Sequence, residues 1–340
     1  KGHLKKGESE MTIYDIAKQA QVSISTVSRV LNNKGNVKEE TQKRVEEVIR
    51  QNDFAPNSLA RGLVVRRTKT VGVMAIDLRD VHYANTASTI ERELSRCGYS
   101  ALICNTGSRP EEKTRYLKLL AEKGVDGLIL IGAVFNDKEV EPILFNLLKN
   151  IPVVMANGIF NFQNVHSVVV DVAYGTEQCV DYLYERGHRH IVFVEDNLNR
   201  FSSDGKLNGY RRGLEKHNIL YRDNLVVSCE PTVEGGYGIV DKILKAGEQV
   251  TAVVTCIDQV AYGITHKLLE KGCRIPQDMA VTGFNNSFFA KYTSPTITSV
   301  DNHFEMMSIM TTQLLIGLME GRDVNTDLYI KPNLVIREST

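Results

Sequence analysis

The stretch TIYDIAKQAQVSISTVSRVLN, residues 12–32, decides how this chain is read. Thr12 followed by Asp15 is the pairing of a helix-starting capping box. Ile13, Ile16, Ala17 and Ala20 then recur at helical spacing. Val22-Ser23 marks a break, and Ser23 suits the cap of a second helix that turns Val27, Val30 and Leu31 inward. A third amphipathic helix follows from about Glu39 to Asn52, with Val45, Val48 and Ile49 on its apolar side. Three short helices with a tight turn between the first two make a helix-turn-helix arrangement. The second helix of such a unit enters the major groove by its N-terminal end. Ile24, Ser25, Ser28 and Arg29 point away from Val27 and Val30. Arg29 suits guanine or a phosphate, and Ile24 a thymine methyl. Thr12, Ser23 and Thr26 complete the DNA-contacting set, the serine and threonine near the second helix start being suited to phosphates. A small bundle capped by Ser and Thr for stability alone has the same composition.

The charge distribution supports a polyanion partner for this end. The formal net charge of the 340 residues is +0, yet residues 1–69 hold 14 Lys or Arg against 8 Asp or Glu. The rest of the chain is correspondingly acidic. The six Cys form no CxxC pair and read as free thiols of a reducing compartment, mostly packed in cores. No apolar run has membrane-spanning length, and the expected location is the cytoplasm. Residues 1–10 fit no element and read as a tag or linker remnant ahead of a native start at Met11.

Residues 11–56 closely resemble the start of the LacI/GalR family of bacterial transcription regulators. The resemblance rests on Val22–Arg29, on Val37, Glu40, Thr41 and Arg44, and on Phe54-Ala55-Pro56-Asn57. Gln21 departs from it, because the family usually has Gly in that turn. The next segment, 57–69, follows a proline, is too short for a stable helix alone and carries Gly62. Its Ala60-Arg61-Gly62-Leu63 resembles the family's hinge helix. That implies Asn57, Ala60 and Arg61 at the minor groove and Leu63 wedged between base pairs.

From residue 70 the rhythm changes. VGVMAI, YSALIC, VDGLILIG and IPVVMA are buried-strand runs separated by amphipathic helices, which predicts parallel sheets with helices on both faces. HSVVVD, HIVFVE, LVVSC, TAVVT and MAVTGF continue the pattern. The expected fold is therefore an N-terminal helix-turn-helix head plus hinge helix, then an α/β body of two similar subdomains with parallel sheets. The family resemblance adds that the body is periplasmic-binding-protein-like. It places the N-subdomain at about 70–168 and 297–328 and the C-subdomain at about 169–296 and 329–340, with TITSVD crossing back to the first. RGHRHIVFV (186–194), GFNNS (283–287) and SPTITSV (294–300) carry this part of the likeness.

Ligands of such folds meet the loops beyond the carboxyl ends of strands. By resemblance, the effector contacts are His82, Tyr83, Phe135, Phe160, Lys206, Asp258 and Asn285. Lys206 stands where the family has Arg, and Asn285 where it has Asp. These exchanges predict a cleft that keeps or gains positive character, which favours an acidic or phosphorylated ligand beside the usual sugar. No Walker loop, Rossmann glycine fingerprint, nucleophile elbow or zinc-like spacing is present, so neither an enzyme, a cofactor nor a metal site is expected. The reading is a DNA-binding regulator, most simply a repressor, whose operator affinity a sugar-like or acidic metabolite sets. A two-fold homodimer would read a palindromic operator, and the absence of a heptad-rich tail favours a dimer over a tetramer. The alternatives are a regulator of the same fold controlled by a phosphocarrier protein, and a small-molecule binding protein without a regulatory role.

Overall fold

The computed structural model describes residues 12–31, 37–52, 68–147, 149–159, 165–196, 200–246 and 250–340. The chain divides into two compact units, residues 1–68 and 69–340.

The first unit contains α1 (Ile13–Gln19), α2 (Ile24–Leu31) and α3 (Glu39–Gln51). Thr12 and Asp15 form the full capping box, with Thr12 N donating to Asp15 Oδ2 at 2.9 Å and Asp15 N to Thr12 Oγ1 at 3.4 Å. Ser23 caps α2 through its Oγ, which accepts from Thr26 N at 3.2 Å. Between these helices Gln21 takes a left-handed conformation, φ 51°. That explains the family's glycine there, since a Cβ is unfavourable in this region. Ile16, Ala17, Ala20, Val27, Val30 and Val45 form one small core.

The second unit contains two six-stranded sheets. The first takes β1 (Thr70–Ala75), β2 (Ser100–Asn105), β3 (Gly127–Ile131), β4 (Val153–Ala156), β5 (Val165–Val170) and β11 (Asp327–Ile330), in the order β11-β5-β4-β3-β1-β2 and all parallel. The second takes β6 (Ile191–Asp196), β7 (Val226–Cys229), β8 (Ala252–Thr255), β9 (Ala280–Phe284), β10 (Thr298–Asp301) and β12 (Asn333–Val335), in the order β12-β10-β9-β8-β6-β7. Only β12 runs antiparallel to its neighbour.

Helices cover both faces of each sheet. In chain order they are α4 (Val81–Arg96), α5 (Pro110–Lys123), α6 (Glu141–Leu147), α7 (Val172–Glu185), α8 (Arg200–Lys216), α9 (Val233–Lys245), α10 (Asp258–Glu270), α11 (Phe288–Lys291) and α12 (Phe304–Met319). The alternation of a strand assigns its residues to two cores. Ile129 and Ile131 enter one cluster with α4 and α12, while Leu128 and Leu130 enter another with α5. A strand buried on both faces has no solvent side, and β3 accordingly reads GLILI without a polar residue. Each such Leu or Ile contributes about 1.5–3 kcal/mol of burial.

One boundary differs from the expected ones. The strand in HSVVVD, β5, lies in the first sheet between β4 and β11. TITSVD does not cross back; β10 pairs with β9 in the second sheet, and the crossing comes after Asp301, where α12 packs on α4 and on β3, β4 and β5. The strand run and the helix beside it carry no mark of which sheet receives them. The pairing is decided by which edge is open. The DLYI strand β11, which the sequence reading did not assign, is that last open position on the first sheet. The chain thus passes between the two lobes three times, after β5, after β10 and after β11.

Candidate functional sites: a DNA-reading helix and an interlobe cleft

In the first unit, Val27 and Val30 fix the rotation of α2 by their burial, 0% and 8% exposed. The opposite side is then presented to solvent. Ile24 is 41% exposed, Ser25 and Arg29 are exposed, and Ser28 is half-buried. The Ser23 hydroxyl lies 2.7 Å from Ser25 Oγ and 2.9 Å from Thr26 Oγ1, a hydroxyl cluster around the start of the helix. Thr12 is exposed but holds Asp15 Oδ2 at 2.6 Å, so its hydroxyl proton is spent within the cap. Tyr14 on α1 is 68% exposed and was not singled out from sequence. An aromatic at helix spacing reads as core until the packing of the three helices is known. Asn57, Ala60, Arg61 and Leu63 lie outside the described residues.

In the second unit, a cleft of about 640 Å³ opens between the two sheets. It lies where the carboxyl ends of their parallel strands face each other. The loop after β1 brings Asp77, Arg79, Asp80, His82 and Tyr83, and the turns after β3 and β4 bring Gly132 and Asn157. From the other lobe come Asp196 after β6, Glu230–Glu234 after β7, Ile257 and Gln259 after β8, Phe284 and Asn285 at the end of β9, and Lys206 from α8.

Each polar group is held by identifiable partners. Asp80 caps α4, accepting from His82 N at 2.7 Å. Asp77 is paired with Arg79 at 2.7 Å, and that guanidinium holds its carboxyl below the ordinary range. Burial pushes His82 down, and Lys206 adds to this against the opposing charge of Asp80. Tyr83 is pushed up, first by burial and then by Asp80, Asp196 and Asp77. A Cβ at Gly132 would stand 3.1 Å from the Tyr83 hydroxyl, and φ there is 96°, so glycine is favoured. Lys206 is buried; its Nζ donates to the Cys256 carbonyl at 2.6 Å and sits 4.3 Å over the Phe284 ring. Asn285 has φ 94°, and its Oδ1 accepts from Asn302 Nδ2 at 2.9 Å.

Of the sequence-derived effector set, the cleft gathers His82, Tyr83, Lys206 and Asn285. Phe135 does not join them. It is fully buried in the core with Leu117, Leu144 and Met155, because the short turn Ala133–Phe135 directs it beneath the sheet edge. Asp258 does not reach the wall either. It is 1% exposed, accepting from Ser299 Oγ and from Ser287 N, both at 2.6 Å, and burial raises it to about 6. Its neighbours Ile257 and Gln259 line the cleft instead. Phe160 lies outside the described residues. Glu230–Glu234 was missed, although the rule that loops after parallel strands meet the ligand would have indicated the segment after LVVSC.

Among the described residues the cleft is also not positive. Five carboxylates there, Asp77, Asp80, Asp196, Glu230 and Glu234, face two cations, Arg79 and Lys206. The expectation of positive character came from two substitutions taken alone, and neighbouring loops outweigh them. Among the described residues, no group of three His, Cys, Asp or Glu is arranged to hold a metal ion. No helix there is long and apolar enough to cross a membrane.

A model of bacterial regulatory proteins of the lacI family matches residues 12–57, and one of a periplasmic binding protein-like domain matches 180–340. An HTH-type transcriptional regulator of Lachnoclostridium phytofermentans is 32% identical over 332 residues, covering 97% of this chain and 99% of that protein. Catabolite control protein A of Priestia megaterium is 32% identical over 333 residues, with 97% and 99% covered. Among solved structures, a complex of the transcriptional regulator CelR with cellobiose is 27% identical, covering 97% of this chain and 100% of that one at TM-score 0.73. A lac repressor dimer bound to operator shares the fold at TM-score 0.86 and 23% identity, covering 97% and 99%. A helix-turn-helix reader joined to a two-lobed binding body defines a sequence-specific DNA-binding transcription regulator. The chain belongs to the LacI/GalR family.

Proposed function

We propose that the protein is a repressor that binds a palindromic operator as a homodimer and changes its operator affinity when a sugar or sugar derivative occupies the interlobe cleft. In this reading Ile24, Ser25, Ser28 and Arg29 meet base edges, and Ser23 and Thr26 meet phosphates. The segment with Asn57, Ala60 and Arg61 orders on the minor groove, with Leu63 opening a central step. His82, Tyr83, Lys206 and Asn285 contact the effector. The observation that carries the reading is the 640 Å³ cleft lined from both lobes, of a size suited to a small metabolite. A ligand that touches both lobes stabilises one lobe arrangement over another, and three chain crossings transmit that difference through the body.

The test is a titration of operator selected from random DNA, at fixed salt because phosphate contacts make affinity salt-dependent. Arg29→Ala is expected to weaken selected-site binding roughly 10- to 100-fold, with little change for random DNA. Leu63→Ala is expected to weaken it by a similar factor and to reduce DNA bending. Binding of the selected site by the Arg29→Ala protein as tightly as by the parent protein would overturn the reader assignment. Operator binding that no free metabolite alters would instead favour control by a phosphocarrier protein.

A further inference from the structure

The donor and acceptor inventory of the cleft wall is lopsided. The two cations among its described residues are already engaged. Arg79 is held by Asp77, and the Lys206 ammonium is held by the Cys256 carbonyl over the Phe284 ring. Asp80, Asp196, Glu230 and Glu234 stand as carboxylates on the same wall. Carboxylates are acceptors only. With Asp77 and Arg79 cancelling and Lys206 offsetting one charge, the described residues of the wall are negative overall.

A second observation is independent of these acids. His82 lines the cleft, and its Nδ1 is buried with no hydrogen-bond partner among the described residues. A buried polar atom without a partner is costly, and a donor from a bound molecule would satisfy it. Burial and the facing Lys206 hold this imidazole neutral, so one ring nitrogen can accept. The groups line one opening from both lobes, His82 and Tyr83 from the first and Asp196 and Lys206 from the second. The acids do not converge as a metal site does. They are spread along a space that also exposes apolar surface from Ile76, Val172 and Phe289, which suits an organic molecule.

We propose that the cleft takes a small polyhydroxylated molecule carrying a protonated amine, an amino sugar or aminocyclitol, in preference to a neutral or phosphorylated sugar. This rests on the cleft being the effector site proposed above. The hydroxyls and the ammonium supply donors to Asp80, Asp196, Glu230 and His82. The ammonium also offsets charge that a neutral sugar leaves uncompensated and a phosphate would increase.

The experiment is calorimetric and thermal-shift titration of the full chain at neutral pH with matched probes. These are glucosamine against glucose, galactosamine against galactose, N-acetylglucosamine to remove the charge, and glucose 6-phosphate to reverse it. The amine of at least one pair is expected to bind roughly fivefold or more tightly than its neutral counterpart, the step one partly screened ion pair gives. Added salt should narrow that ratio. Glu230→Gln, at an exposed position, should reduce the ratio without moving the unfolding midpoint of the unliganded protein. A neutral or phosphorylated sugar binding more tightly than its amine, or no amine binding at roughly 10 mM, a concentration that detects even millimolar affinity, would overturn the proposal. The same probes in the operator titration separate the two readings. A neutral sugar that binds and changes operator affinity leaves the effector site standing and removes only the ligand class. No response to any probe in either assay counts against both.

Discussion

The reading helix and the cleft present their functional groups in opposite ways. On α2 the functional side chains lie within six consecutive residues, 24–29, and face solvent because two valines behind them are buried. In the cleft, described wall residues run from Ile76 to Phe289, and the buried Lys206 is tied to its own protein. A reader of DNA needs side chains that are free to meet an external surface and a helix that holds them in register. A ligand cleft needs groups whose desolvation has been compensated before the ligand arrives. Substitution on α2 should therefore change function with little change in stability, while substitution around the cleft should change both.

The largest break in that comparison is expected at Gly209. This residue lies one turn beyond Lys206 on α8, and a Cβ there would stand 2.1 Å from the Ala173 carbonyl oxygen of α7. Backbone cannot yield as a side-chain end can, so Gly209→Ala should separate the two helices. It should cost about 3 kcal/mol of stability, measured by urea unfolding, and displace Lys206 from the cleft. A variant as stable as the parent would mean that α7 and α8 tolerate a wider approach.

Asp258 gives the next effect and carries a sign. Its folded value of about 6 lies above the ordinary 3.8 because burial outweighs its hydrogen bonds. The folded state then binds the proton more tightly than the unfolded chain between those two values. This group's contribution therefore falls as pH rises from about 4 to 6 and is constant above. At roughly 1.4 kcal/mol for each pH unit across that window, the loss comes to about 3 kcal/mol in all. Asp258→Asn should flatten that part of the stability profile while weakening the bond from Ser287 N. A wild-type profile without a decline in this window would show that the carboxylate is better compensated than its surroundings suggest.

Lys206→Met should retain the aliphatic stem against Phe284 and remove the charge. Loss of the bond to Cys256 O is expected to cost about 1–2 kcal/mol, and calorimetric affinity for a cleft ligand should change by more than that of an α2 variant. The smallest effect is expected in the head. Gln21→Gly removes a Cβ from a left-handed position and should raise the thermal stability of that unit by roughly 1 kcal/mol, with operator affinity unchanged. A loss of stability would indicate that the Gln side chain compensates its strained backbone.

The head was legible because its information is local. A capping pair, a helical stripe and a turn lie within twenty residues, and the same valines that identify the helix also orient it. The α/β alternation of the body was legible for a similar reason, since buried strands must be apolar on both faces. The cleft was legible only in part. Tyr83 and Lys206 were found through a motif, yet Phe135 in an equally plausible loop is core, and Asp258 lies one residue behind the wall. A difference of one residue in a loop reverses the direction of a side chain, and periodicity does not extend into loops.

The sequence by itself determined a capped three-helix reader with Arg29 on its outer side, a basic end on an acidic chain, and strands and helices in alternation. These follow from local propensity and from which residues leave water. Tertiary structure alone decided that β5 and β10 belong to the first and second sheets respectively, that Asp258 is enclosed, and that carboxylates from neighbouring loops outweigh the loss of a negative charge at Asn285. The physical reason is that an open sheet edge and the summed charge of a cleft belong to segments far apart in the chain, whose sequences carry no record of one another.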